Sequence, residues 1–245
     1  MKTILKIPFD KCIVDRKRRG TAEAPDVIQK FAGEIKDAIW KEIKTSGDFE
    51  TIQDNITNTA LKAYEKGIVA GIGGDHSVAY GLMKAFSQKF KGGLIFFDAH
   101  LDCEDDFLPP THEDLIKAAV NEGFFEPENI LIIGARKFYP KEIKFVKEKG
   151  IKISKLEYIQ NFIKDKENIY ISIDIDVFDP KYAPGTGYPE NDGFSPKQLM
   201  PVFEMLSKSK KVKGFDICEV CPKKDINNKT SILSADILEA FLRLI

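Results

Sequence analysis

Several things are scarce in this chain, and each shortage excludes something. Its 245 residues include one tryptophan, four methionines, four cysteines and three histidines. Cys12, Cys103, Cys218 and Cys221 are too few and too irregularly spaced for a disulfide framework. No apolar run approaches the roughly 20 residues needed to cross a bilayer. The N-terminus, Met1-Lys2-Thr3-Ile4-Leu5-Lys6-Ile7-Pro8, has too short an apolar stretch for a signal peptide. An excess of one charge is also missing. The 37 basic and 38 acidic residues leave a net −1, which gives no electrostatic footprint for nucleic acid or an anionic membrane. We therefore expect a soluble, cytoplasmic protein, most simply a single domain over residues 1–245.

What is present is an alternation of short apolar runs with longer amphipathic ones. The runs at Ile4–Phe9, Gly67–Ile72, Gly92–Phe97, Asn129–Ile133, Ile169–Ile173 and Val212–Ile217 are apolar on both faces, as buried parallel strands are. Between them, helices are predicted over Pro25–Ile39, Ile56–Glu65, His76–Phe90, Glu113–Glu122, Pro140–Lys149, Pro196–Ser207 and Ser231–Leu244. Pro196 behind Ser195 reads as a first-turn proline after a cap residue. The pattern predicts an α/β fold with a mostly parallel sheet and helices on both faces.

The few histidines are not scattered. His76 lies in Gly73-Gly74-Asp75-His76-Ser77, His100 in Asp98-Ala99-His100-Leu101-Asp102, and His112 in Thr111-His112-Glu113-Asp114. A fourth stretch, Ser172-Ile173-Asp174-Ile175-Asp176-Val177-Phe178-Asp179-Pro180, adds carboxylates. The first, second and fourth stretches start where predicted strands end, which is where open α/β sheets bind ligands. Asp98, His100 and Asp102 alternate with apolar Ala99 and Leu101, and Asp174 and Asp176 alternate with Ile173 and Ile175. On an extended backbone that spacing puts the polar groups on one side. Several carboxylates within a few ångströms cannot all stay ionised without a cation. His76, Asp98, His100, Asp102, Asp174 and Asp176 are six ligands, too many for one tetrahedral ion and suited to two ions about 3.5–4 Å apart. Their carboxylate-rich character favours a hard ion such as Mn²⁺ over thiolate zinc chemistry.

The order Gly-Gly-Asp-His-Ser, Asp-Ala-His-x-Asp, Ser-x-Asp-x-Asp-x-x-Asp-Pro resembles the ureohydrolase family of arginases and agmatinases over nearly the whole chain. Arg19–Ile28 looks like that family's N-terminal Gly-x-x-x-Gly-Pro-x-x-Ile element, with Ala24 for the second glycine, and Asp216–Pro222 like its Asp-x-Val-Glu-x-Asn/Ala-Pro element. The resemblance implies a three-layer α/β/α sandwich and two manganese ions per chain. His76, Asp98, Asp102 and Asp174 would hold one ion; His100, Asp98, Asp174 and Asp176 would hold the other. It further implies attack of a metal-bridging hydroxide on a guanidinium carbon, releasing an amine and urea. Glu219 would pair with the substrate guanidinium, and His112 would shuttle protons to the leaving amine. The expected partner is a small cationic guanidino substrate, agmatine first, as in polyamine biosynthesis. A homo-oligomer, a trimer or hexamer, is also implied.

Some positions depart from the family pattern. The loop Asp102–His112 lacks the polar groups with which arginases hold the amino-acid end of arginine, and is closer to agmatinases. Its Glu104, Asp105 and Asp106 are either a site for a second positive charge or a solvated acidic loop. Tyr188 stands where a threonine is usual and Asp192 where a glycine is usual. Cys218-x-x-Cys221 brackets Glu219, and without a second pair we read it as two small buried residues rather than a zinc or redox motif. Arginine, guanidino acids and formiminoglutamate are alternative substrates. A single-zinc deacetylase-like amidohydrolase and a non-catalytic metal-binding paralogue are the alternative classes.

Overall fold

The computed structural model describes residues 1–243. One sheet contains β1 (Lys2–Ile7), β2 (Ala38–Glu42), β3 (Ile68–Gly73), β4 (Gly93–Phe97), β5 (Ile130–Ile133), β6 (Lys152–Ser154), β7 (Ile169–Asp174) and β8 (Val212–Cys218). Their order is β2-β1-β3-β8-β7-β4-β5-β6, and every pairing among them is parallel. The helices are α1 (Ala24–Phe31), α2 (Phe49–Tyr64), α3 (Ala79–Lys89), α4 (Leu115–Asn121), α5 (Pro140–Lys149), α6 (Ile159–Lys164), α7 (Pro196–Lys208) and α8 (Lys229–Arg243).

Strand side chains alternate between two separate cores. Ile95 and Phe97 of β4 pack with Ile28 of α1, Phe162 of α6, Phe203 of α7 and Phe241 of α8. Leu94 and Phe96 of the same strand pack with Ile56 of α2, Phe86 of α3, Leu115 of α4 and Val146 of α5. The result is the expected α/β/α sandwich. Every residue of β4, β5 and β7 is buried, which is why these strands read as unbroken apolar runs.

All six predicted strands are present, with ends that shift. β1 stops at Ile7 rather than Phe9, because Pro8 has no N–H to give the ladder. The predicted helix Pro25–Ile39 ends at Phe31, and its tail becomes edge strand β2, paired with β1. The predicted helix from Ile56 begins a turn or more earlier, at Phe49, because Asp48 caps it by accepting from the Thr51 N–H at 2.8 Å. His76–Val78 is a 3-10 turn leading into α3. β6 and α6 were not predicted. Ser195 and Pro196 open α7 as expected, with the Ser195 N–H and hydroxyl both donating to Gln198 Oε1. The last helix runs to Arg243, and its predicted end at Leu244 lies outside the described residues.

Candidate metal centre

The four central strands, β3, β8, β7 and β4, all end at one place. β3 leads through Gly74 and Asp75 to His76, β4 leads to Asp98, β7 ends on Asp174, and β8 leads to Glu219. Gly74 is required for this approach, since a Cβ there would lie 1.8 Å from the Phe9 carbonyl oxygen. The alternation expected for Asp98–Asp102 is not that of a strand. β4 ends at Phe97, and Asp98 to Asp102 form a loop in which Asp102 has φ +47°. Asp176 likewise lies in a 3-10 turn, Ile175–Val177, after β7. The polar groups converge because tight turns aim them, and strand periodicity is not the cause.

All six predicted ligands meet. His76 Nδ1 lies 3.2 Å from Asp98 Oδ2, 3.3 Å from Asp102 Oδ2 and 3.4 Å from Asp174 Oδ2. His100 Nδ1 lies 3.3 Å from Asp98 Oδ1 and 3.0 Å from Asp176 Oδ2. Among the described residues, two groups drawn from these six could hold an ion, His76-Asp98-Asp174 and Asp98-His100-Asp176, which share Asp98 and leave out Asp102; a third such group is His76-Asp216-Cys218. The contacts around His76 lack hydrogen-bond geometry: His76 Nδ1, Asp98 Oδ2 and Asp102 Oδ2 are buried with no hydrogen-bond partner. A cation between them would satisfy all three at once.

The tautomer of His76 follows from its other nitrogen. Nε2 is 2.9 Å from the Ser172 hydroxyl. That hydroxyl donates its one hydrogen to Asp216 Oδ1 at 2.9 Å, so it accepts from Nε2–H. Tyr170 donates to the other oxygen of Asp216 at 2.7 Å. Nδ1 is thereby left with its lone pair facing the carboxylates, as a metal ligand needs. His76 is also stacked on Phe96, with ring centroids 4.9 Å apart.

Without a cation, the charges must be balanced by protons. Burial acts to lower the His76 pKa, but Asp102, Asp174 and Asp98 raise it well above the ordinary value. Burial likewise opposes the His100 charge, yet Asp176 and Asp98 push its pKa up to about 12. Burial would raise Asp98, but His100 and His76 bring it down to about 2. Asp102 is pushed up to about 8 by burial and by the charge on Asp98. Burial and neighbouring carboxylates also raise Asp174. The site is thus built for positive charge, and protons and metal ions compete for it.

His112 and Glu219 line the same cavity, of about 430 Å³, with His100, Asp102, Asp174 and Asp176. His112 is buried with neither ring nitrogen hydrogen-bonded. Burial, and then the positive charge of His76 and His100, lowers its pKa to about 4. Glu219 Oε1 accepts the His76 N–H at 2.8 Å, while buried Oε2 has no partner. Glu219 also has φ +62°, a conformation that is strained for a non-glycine residue and concentrated at functional sites.

The acidic loop resolves into its two alternatives. Glu104 lines the cavity, but Lys141 pairs with it and with Asp105, and Asp106 sits 3.5 Å from Lys117. Cys218 and Cys221 are buried and free. Arg18, Lys137 and Glu190 also line the cavity wall, and Ser172 and Asp216 support His76, none of which the sequence motifs assign a role. Ser172 and Asp216 lie within the Ser172–Pro180 and Asp216–Pro222 motifs, two residues before Asp174 and three before Glu219, so their placement is a signal the sequence carries.

The arginase-family profile matches residues 2–243. The chain belongs to the arginase family. Among its arginase-family relatives is the agmatinase of Bacillus subtilis (strain 168), 33% identical over 181 residues that cover 70% of this chain and 62% of the relative. The guanidinopropionase of Pseudomonas aeruginosa is 30% identical over 71% of this chain and 59% of that protein. The matched part of this arginase-family chain thus spans less than two thirds of these relatives. The agmatine ureohydrolase of Thermoplasma volcanium superposes with a TM-score of 0.86 at 26% identity, covering 99% of this chain and 89% of that one.

Proposed function

We propose that the chain is a binuclear-metal hydrolase of a linear guanidino compound, with agmatine, cleaved to putrescine and urea, as the first substrate. One observation carries this reading: two His–Asp groups sharing Asp98 reach, through Asp174 for one and through His100 and Asp176 for the other, the same cavity that Glu219, with its unpartnered Oε2, and the unpartnered ring of His112 line. Two imidazoles and four carboxylates fit two hard divalent ions, Mn²⁺ by preference. Bound there, two such ions would neutralise the aspartates and supply the Lewis acidity that makes a water a competent nucleophile.

The chain's own residues do the rest. Glu219 offers Oε2 to the guanidinium, and its Oε1 stays fixed to the His76 N–H, so the carboxylate cannot swing. Water adds its oxygen to the guanidinium carbon, and the bond from that carbon to the alkyl-bearing nitrogen breaks. Urea leaves, and the alkyl nitrogen, which gains both protons of the added water, departs as an ammonium. His112, kept neutral at pH 7 by its burial, begins as a proton acceptor and returns one of the two protons to the departing nitrogen. Cytoplasmic location, a place in polyamine synthesis and homo-oligomeric assembly belong to the same proposal.

A second substrate reading has its own observation. Arg18 and Lys137 put two cations on the cavity wall, and these would suit a guanidino acid with a carboxylate at its far end. The test is urea release from agmatine, arginine, guanidinobutyrate and guanidinopropionate by Mn²⁺-loaded protein, with and without chelator. Chelator-sensitive urea from one of them supports the proposal and names the substrate. No urea from any, with two ions bound, would contradict it and leave a formimino substrate or a non-catalytic protein.

A further inference from the structure

Arg136 follows β5 and carries a guanidinium that meets no carboxylate within ion-pair distance among the described residues. All its hydrogen bonds go to backbone carbonyls. Nη2 donates to Asp176 O at 2.7 Å and Glu190 O at 2.8 Å, and Nε to Asn191 O at 2.8 Å. Nη1 donates to Gly134 O at 3.2 Å and, more weakly, to Val177 O at 3.5 Å. The five N–H groups of a guanidinium are thereby used up. Two segments are bound together in this way, the turn that carries Asp176 and the loop that carries Glu190. They flank His100 from opposite sides: Asp176 Oδ2 is 3.0 Å from Nδ1, and Glu190 Oε1 is 3.9 Å from Nε2. Gly193 leaves room for the clamp, since a Cβ there would lie 2.7 Å from Arg136 Nη2 and 2.5 Å from the Asp179 nitrogen.

The other group has a different support. His76 is fixed by Ser172 and Asp216, and Arg136 touches neither. We infer that Arg136 is a positioning residue chiefly for the Asp98-His100-Asp176 group. The other group shares Asp98, and its Asp174 accepts the Asp176 N–H at 2.8 Å, but its histidine is fixed by Ser172 and Asp216, so the two metal positions differ in their dependence on Arg136. This rests on the two-ion reading above. Arg136 touches no reacting atom, and its effect passes through the backbone of Asp176 and Glu190.

The experiment is a Mn²⁺ titration of chelator-stripped wild type, Arg136→Gln and Arg136→Lys, followed by calorimetry and by metal counting after dialysis. In Arg136→Gln one ion should bind within about twofold of wild type and the other about 10–100-fold more weakly, the usual cost of removing a ligand's support. Arg136→Lys keeps the charge but cannot span the carbonyls with a single ammonium, so it should fall between. In a His100→Asn background, Arg136→Gln should change the affinity of the remaining ion by no more than about twofold. Two ions at wild-type affinity in Arg136→Gln, or equal weakening of both, would overturn the inference. If Arg136→Gln does not fold, Arg136→Lys decides: a selectively weakened ion supports the inference and unchanged binding overturns it. Fewer than two ions in the wild type would instead refute the two-ion reading itself.

Discussion

The hydroxyl of Ser172 lies 2.9 Å from His76 Nε2 and, because its hydrogen is committed to Asp216, decides which nitrogen of that ring is free. A serine two residues before Asp174 thereby prepares a histidine nearly a hundred residues earlier in the chain. Ser172→Ala removes the acceptor for Nε2–H and lets the ring choose its tautomer. Mn²⁺ affinity should fall about 10–100-fold while the fold persists. Calorimetric titration would check this, and unchanged affinity would refute the tautomer argument.

His112 touches no predicted ligand within hydrogen-bond distance, and its nitrogens are free. His112→Ala should therefore keep metal stoichiometry and lose turnover by roughly 10²–10⁴-fold, the range for a positioned proton carrier. Loss of metal in this variant would show the residue to be part of the metal site instead.

Glu219→Gln keeps the shape of the side chain and the acceptor for the His76 N–H but removes the charge. Urea production should drop at least about a hundredfold, consistent with loss of a buried charge-assisted contact to a cation. Metal content should stay at the wild-type value. Steady-state kinetics beside metal counting would separate the two effects.

Acidity gives a further expectation. Asp102, near 8, and Asp75, near 7, lie above the ordinary carboxylate value of 3.8, so the folded, metal-free chain binds more protons than the unfolded chain. His100, near 12 against 6.5, acts in the same direction above pH 6.5. His112, near 4 against 6.5, acts in the opposite direction, but only below pH 6.5. Between pH 6.5 and 8 the terms agree: stability of the metal-free protein should fall as pH rises. Bound Mn²⁺, which displaces those protons, should bind more tightly over the same interval. Thermal unfolding at several pH values, with chelator and with Mn²⁺, would reveal the two opposite slopes.

The central half of the molecule was legible because burial is written into it. β4, β5 and β7 are buried at every residue, so nothing competes with their apolar signal. The convergence of the six candidate ligands was legible for a different reason, since imidazoles and carboxylates in short patterns at strand ends have few other uses. The edges were not. β2 has the sequence Ala-Ile-Trp-Lys-Glu, with its last two residues exposed, and it follows directly on a helical pattern. β6 has three residues and is mostly exposed. Such strands exist because a neighbour offers a ladder, and no local preference records that. The turn geometry at Asp102 and Glu219 also escaped, since a positive φ at an acidic residue is imposed by its surroundings. Arg136 was invisible because its partners are carbonyls, which every residue has.

The shared ligand offers the most direct test. Asp98 belongs to both groups, one oxygen facing His76 and the other His100. Metal ions per chain should be counted in Mn²⁺-loaded wild type and in Asp98→Asn, with folding checked by thermal unfolding. The account predicts two ions in the wild type and loss of both in the folded variant. A wild type that holds only one ion, or an Asp98→Asn variant that keeps one at full affinity, would contradict it.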